Sequence, residues 1–585
     1  MSLKYTSSLI VIILTSLILG CSTDKEPERR DLPLIPFDEN ENTSATYLEV
    51  IRFYRDLAEV SPDVSIREIG PTDIGKPLHE VVISKGAGDP DGVKAVNKVV
   101  VMINNGIHPG EPCGIDASML LARKLVREAD RSNVLDNVAV VIMPVYNVGG
   151  ALNWGSHSRA NQNGPEMHGF RGNAKNLDLN RDFIKCDSRN AQTFVRWFND
   201  WSPDLFIDTH TSNGADYQYV MTLIESQKDK MNPRLAEFMT TRITPALYRS
   251  MKKAGYPMTP YVYSRGNPET GIYGFLDLPR YSTGLAALHN TIGYTTEAHM
   301  LKTFSQRVKG TLAFLESIVQ LAADEKKGLL LAKEKAFAAD LKLDSMDLNW
   351  KVDMDRTDSL SFMGYEAGTR TSEVSGLDRL YYDTARPFKR TIPYWPTYKG
   401  TRTVDIPSAY ILPQAYHDVA QRLKWNGVEM SALQHDTTIE VSAYYIESFK
   451  DRGGPYEGHY LHQAVETRKE RQIWKYYVGD WWIPTDQDAR RFIVNTLEPE
   501  APDAYFAWNF FDGILMQKEY FSDYVFEDLA AEYLRNDPAL QEELDRKKLM
   551  EPGFRENARA QLDFIYRNSP NFENTYRRYP VSRIE

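Results

Sequence analysis

"VVVMINNGIHPGEPCGIDASMLLARKLV", residues 99–126, holds three kinds of sequence in a row. Val99 to Ile103 is an uninterrupted, mostly β-branched apolar run, the signature of a strand buried on both faces. Ile115 to Val126 carries apolar residues at helical spacing. Between them lies a turn rich in Gly and Pro, and it sets His108 and Glu111 three residues apart. A strand delivered through a tight turn into a helix is the unit of α/β architecture. Ligands of such sheets bind beyond the carboxyl ends of the strands, which is where this turn falls.

The same alternation extends on both sides. Tyr47, Val50, Ile51, Tyr54 and Leu57 recur at three and four residue intervals, a helix with Thr43 or Ser44 available as its cap. Strand-like runs follow at 64–69, 79–84, 98–104 and 138–145. The expected fold is therefore α/β, a mixed central sheet flanked by helices. The pattern continues to about Ala323, where a long helical stretch, 304–336, passes through the charged "ADEKKG". A domain junction placed there divides the chain into 43–325 and a C-terminal region, 326–585. That region shifts towards Tyr, Trp and Pro ("RTIPYWPTYKG", "QIWKYYVGDWWIPT") and reads as β-rich and then helical, with a helix at 525–534.

With 585 residues the chain exceeds what one core usually supports. A formal charge of −11 and the lack of a long basic block exclude a nucleic-acid surface. At the N-terminus Lys4 precedes an apolar run from Leu9 to Leu19 that is too short to span a bilayer, so residues 1–20 read as a signal peptide. The run ends in Gly20-Cys21 and resembles the lipobox of bacterial lipoproteins, which implies lipidation at Cys21 and export to the cell envelope, with an outer-membrane lipid anchor as the membrane contact. Residues 22–32 are polar and uncompensated by apolar side chains, which suits a flexible tether, and the lipidated N-terminus and tether are placed over 21–42. Cys113 and Cys186 remain, and their redox state is open.

His108 and Glu111 are the one H-x-x-E pair among eleven histidines, a weak signal by itself. A catalytic zinc needs three protein ligands and an open position. The third candidate is His210 in "DLFIDTHTSNG", where the apolar strand Leu205 to Ile207 delivers a histidine at its end. Between them "GFRGNAKNLDLNRDF", residues 169–183, crowds Arg171, Asn180 and Arg181 into a loop; guanidinium forks pair with carboxylates and steady oxyanions. "TIGYTTEAHM", residues 291–300, puts Glu297 in a β-branched strand, where an acid is costly unless it is paired, hydrated or used. Near zinc, such a glutamate takes a proton from activated water and returns it to the leaving amine.

The order H-x-x-E, Arg, D-x-N-R, His, Glu resembles the zinc carboxypeptidases of the carboxypeptidase A-like family over roughly residues 43–322. The resemblance implies one Zn2+ per chain held by His108, Glu111 and His210, with Arg171 as the oxyanion arginine and Glu297 as the general base. It further implies that Asn180 and Arg181 hold the terminal carboxylate of a peptide substrate, and that Asp178 orients the first zinc histidine. The family's mobile-loop tyrosine falls in a window that offers Tyr273 and Tyr281; Tyr281, in "PRYSTG", is the choice. The function so implied is hydrolysis of C-terminal residues of peptides. Two other readings stand beside it: an envelope amidase acting on peptidoglycan stem peptides, and an inactive surface lipoprotein that binds ligand through its aromatic C-terminal half.

Other polar groups read as structural. Asp208 and His299 are hydrogen-bonding groups rather than ligands, His459 and His462 a packed or solvated pair rather than a second metal site, and the aromatics of 473–511 core rather than a stacking platform.

Overall fold

A computed structural model describes residues 31–129 and 132–585. Residues 1–20, read above as a signal peptide, and Cys21 lie outside the described residues. Nine strands precede residue 300: β1 (Val64–Pro71), β2 (Pro77–Ile83), β3 (Val99–Asn104), β4 (Val138–Met143), β5 (Leu205–Ser212), β6 (Met221–Glu225), β7 (Met258–Pro260), β8 (Ile272–Tyr273) and β9 (Ile292–His299). All but β8 form one eight-stranded sheet in the order β1-β2-β4-β3-β5-β9-β6-β7. β4, β3, β5 and β9 run parallel at its centre, and β1, β2 and β6 add antiparallel neighbours. The sheet is mixed, and its centre is built from the strands whose sequence is most continuously apolar: every residue of β3 and β4 is buried. Helices cover both faces, as parallel strands require.

Some local boundaries differ from the sequence reading. The first long helix, Tyr47–Val60, is capped by Thr46, not by Thr43 or Ser44; Thr46 and Glu49 form a reciprocal capping box. Ser44 is committed elsewhere, donating to the buried Asp116 at 2.5 Å. β5 continues past Ile207 to Ser212, so His210 stands inside the strand, near its carboxyl end, rather than just beyond it. The helical stretch after Phe304 is two helices, Phe304–Asp324 and Lys326–Asp340, broken at Glu325. The second of these packs back on the sheet: Lys333 Nζ donates to the carbonyls of Ser202 and Pro203 at 2.5 and 2.6 Å.

Beyond residue 340 a long hairpin, Asp358–Thr371 with Asp378–Trp395, pairs with β8 through Trp395 and Tyr273. A six-stranded sheet gathers Ala409–Leu412, Thr437–Asp451, His462–Tyr476 and shorter strands. The region does not simply end in helices. The helices between Asp523 and Arg567 gather around their own small core of Phe526, Leu540, Leu562 and Ile565, and then Ser582–Ile584 returns to the six-stranded sheet beside Ala409–Leu412. The aromatic run "YFAW" is core: Tyr505, Phe506 and Trp508 are fully buried.

Candidate metal centre

The turn after β3 is closed by the Glu111 amide donating to the His108 carbonyl at 2.8 Å, and Gly106 enters it with φ +65°, a left-handed backbone that glycine adopts without strain. Gly114 then lets the helix Cys113–Glu128 start hard against β5: a Cβ there would stand 2.0 Å from Thr209 Oγ1. That close approach brings the turn over His210. Nδ1 of His108 lies 3.4 Å from Glu111 Oε1, and Nδ1 of His210 lies 3.2 Å from Glu111 Oε2.

These spacings suit zinc. Two ligand atoms about 2.0–2.1 Å from one tetrahedral ion stand roughly 3.3 Å apart. All three side chains are buried, and their ligand atoms lie within 4.8 Å of one another. The far side of each imidazole meets a carboxylate: His108 Nε2 is 2.9 Å from Asp178 Oδ1, and His210 Nε2 is 3.0 Å from Asp208 Oδ2, the second contact being less well aligned. A carboxylate at Nε2 favours the tautomer with its lone pair on Nδ1, the atom a metal would take; Arg171 Nη1 stands 3.2 Å from that atom of His108. Asp208 is itself held by Ser282 Oγ (2.5 Å) and Asn104 Nδ2 (3.1 Å).

Burial alone would raise the Glu111 carboxyl, but Arg159 and His108 beside it hold it well below the usual carboxylate range. Asp178 is likewise held down against burial by His108, Arg171 and Arg181. Glu297 is the exception. Burial pushes its carboxyl up to about 8; His210 opposes the rise and Glu111 adds to it.

One cleft of about 440 Å³ is lined by His108, Glu111, Arg171, Asn180, Arg181, His210, Tyr281 and Glu297. Asp178 lies behind His108. Arg171 reaches Asp178 Oδ2 at 2.9 Å and Glu111 Oε1 at 3.4 Å. Tyr281 lines the cleft, with the Arg181 guanidinium 4.6 Å over its ring. Tyr273 instead stacks on Trp395 at 5.0 Å, away from the cleft. Cys113 and Cys186 are separate buried thiols. His299 stacks on Tyr217 and meets Asp216, while His459 and His462 pair with different carboxylates, Asp187 and Asp512.

Several other lining residues carried no sequence signal, among them Arg159, Tyr261 and Phe275. Arg159, with a left-handed backbone in a loop of Asn, Gln and Gly, donates to Glu111 Oε1 at 2.8 Å. Tyr261 and Phe275 also line the cleft. The composition "SHSRANQNG" marks a loop but no partner for its arginine.

Residues 50–269 match the zinc carboxypeptidase family, and the chain carries a zinc carboxypeptidase domain, the catalytic unit of a metal-dependent peptide hydrolase. Among curated proteins it is similar to Carboxypeptidase 2 of Trichophyton tonsurans, 22% identical over 430 residues, covering 70% of this chain and 73% of the relative. Carboxypeptidase 2 of Trichophyton rubrum is 20% identical over 474 residues, 77% of this chain and 81% of that protein. Among solved structures, a metallo-carboxypeptidase from Burkholderia cenocepacia aligns at TM-score 0.36 and 16% identity, over 48% of this chain and 69% of its own. The carboxypeptidase A of Helicoverpa armigera aligns at TM-score 0.37 and 16% identity, over 49% and 75%.

Proposed function

We propose that this metallo-exopeptidase removes C-terminal residues from peptides, reading the free carboxylate of the chain end. The observation that carries the proposal is the presence of Arg181, Asn180 and Glu297 in the cleft that holds the His-Glu-His trio. His108, Glu111 and His210 would hold one zinc ion. Zinc, when bound, supplies the Lewis acidity that polarises a carbonyl and makes water a stronger acid.

The remaining work falls to side chains. Arg181 and Asn180 bind the terminal carboxylate and so set which peptide bond lies over the trio. Arg171, poised at the rim, steadies negative charge developing on the scissile carbonyl oxygen. A Glu297 carboxylate oxygen takes the proton of the attacking water and passes it to the departing amine nitrogen. Asp178 and Asp208 keep the two imidazoles in register.

The test is digestion of matched peptides that end in a free acid or an amide, with mass readout of which end shortens. Trimming confined to free acids, and lost in Arg181→Ala, supports the proposal. Equal trimming of acids and amides refutes it, and release of stem-peptide residues from muropeptides alone would instead favour an envelope amidase.

A further inference from the structure

No described residue of the C-terminal region is among those that line the cleft, but a hairpin tip of that region meets Arg181, which does. The strands Thr437–Asp451 and His462–Tyr476 are joined by a tip, "RGGPYEGHYL", whose residues 456–459 form a two-residue hairpin turn. The Tyr456 amide donates to the His459 carbonyl at 2.7 Å and the His459 amide to the Tyr456 carbonyl at 3.1 Å. Glu457 and Gly458, its central residues, both have left-handed φ, +49° and +87°, as in the tight turns that match strand twist. A non-glycine residue is held in that conformation at some cost, so the tip is fixed by its contacts.

Those contacts are with the loop of residues 169–187. Arg181 Nε donates to Tyr456 Oη at 2.9 Å, and the Asp178 amide donates to Glu457 Oε2 at 2.7 Å. His459 Nε2 stands 2.7 Å from Asp187 Oδ2. Behind the tip, the Tyr456 ring is stacked at 6.0 Å on the buried Trp508, and Arg452 lies 4.0 Å over it. The tip is thus pinned from behind and presses a phenol and a carboxylate onto the segment that carries Asp178 and Arg181.

The consequence for Arg181 is geometric. Its Nε is occupied by Tyr456 and one N–H of Nη1 by the Asn180 carbonyl at 2.7 Å, while its plane lies over Tyr281. A guanidinium has five N–H groups in a rigid fork, so bracing two of them restrains its rotation and leaves the Nη2 N–H groups for a ligand. We infer that the 456–459 tip of the C-terminal region is a working part of the carboxylate subsite, with Tyr456 as a positioning residue for Arg181. The inference rests on the assignment of Arg181 as the carboxylate clamp under the proposed function. It gives the C-terminal region a role in recognising chain ends, through a hydroxyl that touches the clamp and not the substrate.

The experiment uses the full-length, zinc-loaded protein and a double-mutant cycle on a free-acid peptide. Tyr456→Phe keeps the ring stacked on Trp508 and removes only the hydroxyl; it is expected to raise KM about tenfold, the size of a lost hydrogen bond to a charged group, with kcat within about twofold. In an Arg181→Ala background the same change is expected to do nothing more. Glu457→Gly, which suits the left-handed backbone, gives a smaller rise of the same kind. An unchanged KM in Tyr456→Phe while Arg181→Ala raises it overturns this inference alone. An equal penalty in both backgrounds, or a fall in kcat that tracks a lower Tm, also overturns it. If Arg181→Ala itself leaves KM unchanged, the clamp assignment fails and the inference falls with it.

Discussion

His210 on β5 and Glu297 on β9 are direct partners across a parallel pair of strands. Opposite residues on neighbouring strands present their side chains to the same face. A ligand of the trio and the carboxyl raised to about 8 are therefore held at fixed separation by the sheet itself, with no loop between them. This makes Glu297 separable from the metal trio by mutation. Glu297→Gln is expected to keep bound zinc by elemental analysis while turnover drops about 10²–10⁴-fold, the usual contribution of a positioned proton acceptor. Loss of zinc along with activity would make Glu297 a ligand and not a base.

Asp208 shows how a residue can serve a metal without touching it. It sits between Asn104, Ser282 and His210, fully buried, and its place against Nε2 leaves Nδ1 for the ion. Asp208→Asn retains the size of the side chain but weakens its hold on the imidazole. Zinc affinity, measured by competition with a chromophoric chelator, is expected to fall about 10–100-fold. An unchanged affinity would show that His210 is oriented by the strand alone.

His289 supplies a pH dependence away from the cleft. Its ring lies between Phe198 and Phe492, at 5.8 and 5.4 Å, where the sheet domain meets the helix Arg490–Leu497 of the C-terminal region. Burial lowers its pKa to about 4 from 6.5. The unfolded chain takes up this proton as pH falls through 6.5, and the folded chain does not until about 4, so stability is lost across that window as pH falls. The loss approaches about 3 kcal/mol at the acid end. Denaturant titrations at pH 7 and 4.5 should show a smaller difference for His289→Gln than for the unmodified protein; equal differences rule the residue out as a source.

Much of this arrangement is readable from sequence, for physical reasons that differ by element. β3 and β4 are legible because a strand buried on both faces has no room for polar residues. β5 is cut short at Ile207 in the sequence reading because Asp208, Thr209 and His210 do not look like strand interior, yet they are there to be used at its end. The cap at Thr46 follows the T-x-x-E spacing to Glu49, which outcompetes the nearer hydroxyls of Thr43 and Ser44. The cleft residues share motif order and fall together in space. Tyr456 and Glu457 are invisible by comparison: their partners, Arg181 and Asp178, are more than 270 residues away, and no local pattern records a contact of that range.

Asp340 is one of several buried side chains that tie the sheet domain to the C-terminal region. This buried carboxylate, at the end of the helix Lys326–Asp340, accepts from Asn232 Nδ2 and Asn290 Nδ2, each at 2.7 Å, and from Arg491 Nε at 2.9 Å. Two of these donors belong to the sheet domain and the third to the helix Arg490–Leu497, so one side chain ties three segments. Asp340→Ala leaves Arg491 buried and charged with its principal partner gone, a change that costs about 3–5 kcal/mol when a buried pair is broken from one side. Asp340→Asn keeps the acceptor oxygen and is expected to cost less. The consequence of the alanine variant is a lower thermal midpoint together with new protease cutting in residues 326–345, read by mass spectrometry. A midpoint that falls with no new cutting there would place the lost stability elsewhere than at this junction.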